Sequence, residues 1–256
     1  MRIARRLPAL LTELWLPVVI VAICWIVSSR STAPFYPPLE RILAKFVELW
    51  FSERFVTDVL PSLANLVAGY GVALVAGILG GLVLGRFDRL RFALTPQLEF
   101  LRCLPSIALV PLVLVGFGIG DDAKIVVIAF GAVWPILLAT IDGARGVDPV
   151  LRDVAASLRL SGPAAFARIV LPSAAPGILA GARVSLSIAV VLVVVSELAG
   201  ADRGIGYVLL SSQRRFAMTD MWAAMILFGI LGYLLNVVFR ILERRVISWH
   251  PAHRDA

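Results

Sequence analysis

The sequence predicts an all-α fold, a polytopic membrane protein with about six transmembrane helices, on three observations. Apolar residues make up 60% of the chain and charged ones only 16%. The mean hydropathy is +0.92. Apolar runs of about 20 residues recur, the length at which a helix crosses roughly 30 Å of hydrocarbon. Residues 1–256 read as a single transmembrane domain, with no length left over for a soluble catalytic one.

Taken in order, the first run is Leu10 to Ser28, behind the basic start "MRIARR". The same stretch also reads as a signal peptide with a small-residue site at Ser31 to Ala33, but Trp15, Pro17 and Trp25 make an untypical signal core, and a retained span is the preferred reading. The second run is Ser62 to Gly85, where "GILGG" at Gly77 to Gly81 permits close helix approach. The third, Phe100 to Gly118, carries Pro105 and Pro111, and a helix broken by proline is tolerated at membrane depth only where neighbours satisfy the freed backbone groups. It is therefore expected inside the bundle. The glycine-rich "GFGIGDD" at Gly116 to Asp122 reads as a turn on the way to the fourth run, Lys124 to Ile141. The fifth is Gly177 to Gly200. The sixth is Met221 to Leu242, with a second small-residue motif, "GILGY", at Gly229 to Tyr233.

Charge sets the orientation. When the N-terminus, the 86–102 loop, the 142–175 loop and the C-terminal tail are placed on one side, that side holds 14 of the 24 Lys and Arg and the whole +7 net charge. Basic loops stay in the cytoplasm, so both termini and Ser161 are expected there, with Thr57 and Ser212 outside. The pI near 10.2 then reflects topology and an anionic leaflet. No aromatic and basic interleaving points to nucleic acid. His250 and His253 both lie in the tail, which excludes an imidazole metal site within the membrane. Cys24 and Cys103 are far apart in apolar surroundings and read as small buried hydrophobes rather than a disulfide.

The long stretch a membrane cannot hold is "DVAASLRLSGPAAFARIVLP", Asp153 to Pro172. Asp148 caps a helix with Pro149 at its first position, where a missing N–H costs nothing. Leu151, Val154, Ala155 and Leu158 fall on one face, opposed by Arg152 and Asp153. Ser161-Gly162-Pro163 starts a second short helix, apolar at Phe166, Ile169 and Val170, which Pro172 is expected to stop. A tether of about 35 residues between spans leaves no reach for a DNA groove. A membrane-surface helix and a docking element for another protein remain.

This stretch resembles the cytoplasmic motif of inner-membrane permease subunits of binding-protein-dependent ABC importers. That motif runs E-A-A, then a glycine four residues on, then I-x-L-P. Asp153 stands for the glutamate, Val154 and Ala155 for the alanines, and Ile169, Leu171 and Pro172 for the ending. Where the family has glycine this chain has Arg159, and the turn is expected to move to Ser161-Gly162. The region from Leu101 to Pro149 and "RGIGYVLL" at Arg203 to Leu210 resemble permeases for aliphatic sulfonates, taurine, nitrate and similar anions. The likeness covers about residues 61–249, with a coupling segment at about 148–172. It implies a type I importer fold in the bacterial inner membrane and ATPase-coupling roles for Leu151, Asp153, Val154, Ala155, Leu158, Arg159, Ser161 and Gly162. The implied partners are a second copy of the chain, two cytoplasmic ATPase subunits and an external solute-binding protein, beside the bilayer itself.

The residues add an independent point. A nucleotide-binding subunit needs a G-x-x-x-x-G-K-[ST] loop, and the two lysines are followed by Phe46 and Ile125. Neither is that lysine, so ATP and Mg are expected on a partner and no cofactor on this chain. Ionisable groups within spans mark function by default. Arg183 and Glu197 lie 14 residues apart on the fifth run, nearly on one face and about 21 Å apart along it. Arg183 is near enough to the cytoplasmic end to snorkel. Glu197, beside Ser196, reads either as part of a pathway or gate or as a structural bond to Arg203 or another span. The expected activity is alternating access without covalent chemistry. The alternatives are an ion-coupled secondary transporter, which should show internal repeats, and an intramembrane enzyme, for which no acid–base pair or metal cluster is present. The solute stays open among sulfonate, taurine, nitrate, bicarbonate and a heterocyclic vitamin precursor.

Overall fold

The computed structural model describes residues 6–29, 33, 35–160 and 162–247. Ser161, His250 and His253 fall outside the described residues. In chain order the helices are α1 (Arg6–Ser29), α2 (Leu39–Trp50), α3 (Leu60–Arg86), α4 (Asp88–Cys103), α5 (Val110–Phe117) and α6 (Asp121–Arg145). They continue with α7 (Pro149–Ser157), α8 (Gly162–Ala165), α9 (Leu171–Leu198), α10 (Ile205–Arg214) and α11 (Met218–Val246).

The centre is built by α3, α6 and α9. On α3 the glycines 69, 77, 81 and 85 form a stripe against Ile128, Ile136, Thr140 and Ala144 of α6. A Cβ added to any of the four would sit 2.5–2.8 Å from the Cβ opposite. Backbones this close exclude lipid and maximise dispersion contacts, the attraction available to helices already in an apolar solvent. The numbers rise together along the stripe, so α3 and α6 are parallel. α9 runs antiparallel to both: Tyr70 donates its hydroxyl to the Ala182 carbonyl at 2.8 Å, and Gly181 closes on Ala139 and the Pro135 carbonyl. Leu66, Ala73, Ile128, Ile136, Leu186 and Ala189 fill the space between the three. α11 packs outside α9, antiparallel to it. Gly229 faces open space in the single chain and Gly232 meets Val190 Cγ1 at 3.6 Å, so "GILGY", unlike "GILGG", brings no backbones into close contact within the chain.

Two parallel consecutive spans require the chain between them to cross back. The third apolar run does this in two pieces rather than one. α4 and the segment Ser106–Phe117 meet at 83°, with the elbow at Leu104-Pro105 and Ser106 beside Gly131, midway along α6. The break expected at the prolines is formed, but the expectation that the run packs inside the bundle is corrected within this chain. α5 has only eight residues, and Ile107, Leu112, Val115 and Phe117 are exposed, Val115 at 87%. Cys103, at the end of α4, is exposed rather than buried.

Proline does not end the helix at residue 172. A π turn, Phe166–Val170, precedes it, and the Leu171 N–H bonds back to the Phe166 carbonyl, so Gly162–Leu198 is one helix of 37 residues. The same device stands before Pro61, where π turn Phe55–Val59 ends with Leu60 N–H on the Phe55 carbonyl. A proline ring clashes with the carbonyl one turn back and offers it no N–H, and the wider π turn shifts that carbonyl aside. Both turns lead directly into Leu-Pro.

Helix α2 is an addition that apolar-run reading missed. Its sequence "LERILAKFVELW" is amphipathic and not long enough to cross a membrane. Ile42, Leu49 and Trp50 face inward, and the Trp50 indole N–H donates to the Ala223 carbonyl at 3.3 Å.

Candidate functional site

The long helices share two ends, one carrying α7 and the other α10 and α2. At the α7 end, Asp148 accepts the Val150 N–H at 2.8 Å, capping α7 as its sequence requires. Of the predicted apolar face, Leu151, Val154 and Leu158 are exposed, Leu158 at 66%, while Ala155 turns inward and is buried. Asp153 is exposed on the same short helix. Arg159 corrects the expected position of the turn. It adopts φ 51°, and the Leu160 N–H reaches the Ala155 carbonyl at 3.0 Å, a helix stop of the kind usually built on a left-handed glycine. The turn is therefore made where the motif has its glycine. Gly162 lines an adjacent cleft of about 370 Å³ with Gly85, Arg86, Asp88, Arg145 and Phe166, and Asp88 pairs with Arg145 across it.

On the side of α9 left uncovered in the single chain lies a shallow apolar groove of about 560 Å³, bounded by the 105–107 elbow and by Val184, Ser187 and Val191. Its polar groups are hydroxyls, those of Ser106 and Ser187. Arg183 is paired with Glu243 of α11, a partner that sequence reading did not find although Glu243 lies inside the last apolar helix.

At the α10 end, Glu197 is 1% exposed. It lies nine residues from Ile188, which also lines the groove, so at about 100° per residue it faces away from it. Ser62 donates to its Oε1 at 2.6 Å and the Gly206 N–H to its Oε2 at 2.8 Å. Of the bonds weighed for it, the one to another span is formed; Arg203 instead pairs with Asp121 at 2.7 Å. Asp121 also accepts from Asn65 and Lys124, both at 3.0 Å. Ser196 is buried and donates to the Val193 carbonyl at 2.9 Å. Asp58, Ser62, Asn65 and Lys124 were missed as a group because they come from two helices that meet only in the folded chain.

A bundle of parallel and antiparallel spans with an exposed amphipathic helix at one end defines a class, and the comparisons identify it. Residues 52–248 match the family of binding-protein-dependent transport system inner membrane components, and the chain belongs to that family. That membership sets aside the ion-coupled alternative. The chain is 33% identical to the putative aliphatic sulfonates transport permease protein SsuC of Bacillus subtilis (strain 168), over 94% of this chain and 88% of that one. The taurine transport system permease protein TauC of Escherichia coli (strain K12) is 29% identical over 91% and 87%. The bicarbonate transport system permease protein CmpB of Synechococcus elongatus is 31% identical over 73% and 68%. Among solved structures, an inward-facing form of the MetNI methionine ABC transporter superposes with a TM-score of 0.65 at 22% identity, covering 74% of this chain and 94% of that chain, a likeness of fold.

Proposed function

We propose that this chain, as a homodimer in the cytoplasmic membrane with both termini inside, imports a small anion of the aliphatic sulfonate and taurine kind by alternating access. ATP and Mg are held by two cytoplasmic ATPase subunits, and the solute is delivered by an external binding protein. The observation that carries this reading is α7. Leu151, Val154 and Leu158 form an exposed apolar face on a capped helix at one end of the bundle, the form of a helix-in-groove contact. Asp153, Arg159 and Gly162 flank that face, with Ala155 fixing α7 from beneath. The groove beside Ser187 is the half-pathway that a second copy would complete, with Arg183 toward its inner mouth. Ser196 and Glu197 brace its outer end from behind. The relatives named for sulfonates and taurine match 94% and 91% of this chain, against 73% for the one named for bicarbonate, which favours that solute class.

Burying one leucine contributes about 1.5–3 kcal/mol, and a carboxylate in its place adds a desolvation cost of similar size. Leu158→Asp is therefore expected to lower both ATPase co-purification and ATP hydrolysis in reconstituted membranes. Unchanged values for both would place α7 on lipid and remove the docking reading. Solute class is tested separately, by uptake of sulfonates, taurine, nitrate and bicarbonate in cells lacking this permease.

A further inference from the structure

We propose that Glu197 is a positioning residue: together with Asp58 and Ser62 it clamps the start of α10 to α3 and α9, making the 199–206 loop and α10 a rigid cover that moves with α9. The first N–H groups of a helix have no partner within it and attract negative charge. Here three successive ones are taken by side chains from elsewhere in the chain. Gly204 N–H donates to Asp58 Oδ1 at 3.1 Å, Ile205 N–H to Ser62 Oγ at 3.0 Å, and Gly206 N–H to Glu197 Oε2. The two glycines make the cradle possible. Gly204 sits at φ 118°, and a Cβ on it would lie 2.6 Å from the Glu197 carboxyl carbon; one on Gly206 would lie 2.7 Å from Glu197 Cβ. A second fastening, Arg203 to Asp121 with Asn65 and Lys124 behind it, ties the same loop to α6 and α3. At the far end of α10 the seat closes over Ser212, which is fully buried.

The clamp depends on neither the solute nor the coupling partner. Its test uses the full chain in native membranes with Cys24 and Cys103 replaced by Ser, and the membrane-permeant thiol reagent N-ethylmaleimide. S212C reports on the seat of α10, and T140C, fully buried between α3 and α6, reports on the rest of the bundle. Losing the hydrogen bonds that Glu197 accepts from Ser62 and the Gly206 N–H should raise the opening of α10, so Glu197→Ala is expected to label S212C about tenfold faster with T140C unchanged. Gly204→Ala should do the same by pushing the carboxylate out. Glu197→Gln keeps an oxygen for the Gly206 N–H and should restore part of the protection. S212C remaining protected in both alanine variants, or T140C becoming reactive in parallel, would overturn the clamp.

Discussion

Arg159 closes α7 in the left-handed region, where an L side chain crowds its own carbonyl at a cost of roughly 1–2 kcal/mol. Glycine there would remove the crowding but adds unfolded-state freedom of about 0.4–1 kcal/mol. Arg159→Gly is expected to stabilise the protein by about 0.5–1 kcal/mol, read as a rise in the thermal midpoint of the purified chain. A fall would contradict the left-handed stop. Phe216 ends α10 in the same way at φ 56°, with the Ala217 N–H on the Ser212 carbonyl at 2.9 Å. Arg159 was marked only by the glycine of the motif it resembles, and Phe216 was not legible at all, because a non-glycine in this region leaves no mark of its own in the sequence.

At the scale of elements, the α3–α6 contact depends on having no side chain at four positions. A methyl on Gly81 would meet Thr140 Cβ at 2.5 Å and the Leu137 backbone carbonyl at 2.8 Å, whereas Gly71 on the same helix has open space. Gly81→Ala is expected to cost about 1–3 kcal/mol of stability, and Gly71→Ala to be neutral or to gain up to about 1 kcal/mol from helix propensity. Thermal unfolding of the two variants side by side decides this; equal midpoints would mean that α3 and α6 are not in backbone contact. The π turns before Pro61 and Pro172 belong to this scale too. Sequence rules read "VLPS" as a helix stop, yet in both places the helix continues because a preceding wide turn absorbs the proline.

Across the whole molecule, the parallel arrangement of α3 and α6 puts α2, α10 and the π turn at 55–59 at one end and α7 at the other. If the basic loops are cytoplasmic, T57C and Q213C, both at exposed positions, should react with an impermeant thiol reagent in intact cells. L158C should react only after permeabilisation. Reaction of L158C in intact cells would invert the assignment. Gln213 rather than Ser212 serves as the reporter at that end because Ser212 is fully buried.

Sequence alone determined the solvent this protein folds in, the places of the long apolar helices, the α7 cap at Asp148-Pro149 and the family motif around Asp153, since each of these is written in composition or in spacings within one helix. Tertiary structure decided what depends on which helices meet. The third apolar run became an elbow because α3 and α6 came out parallel and the chain had to return between them. Glu197 found Ser62 and Gly206, and Arg183 found Glu243, across 135, 9 and 60 residues of sequence respectively. A charge within an apolar run announces that it needs a partner, because leaving it unpaired in hydrocarbon is costly. Which partner it receives is a matter of helix order and rotation, and those are set by the packing of the α3 glycines against Ile128, Ile136, Thr140 and Ala144 of α6.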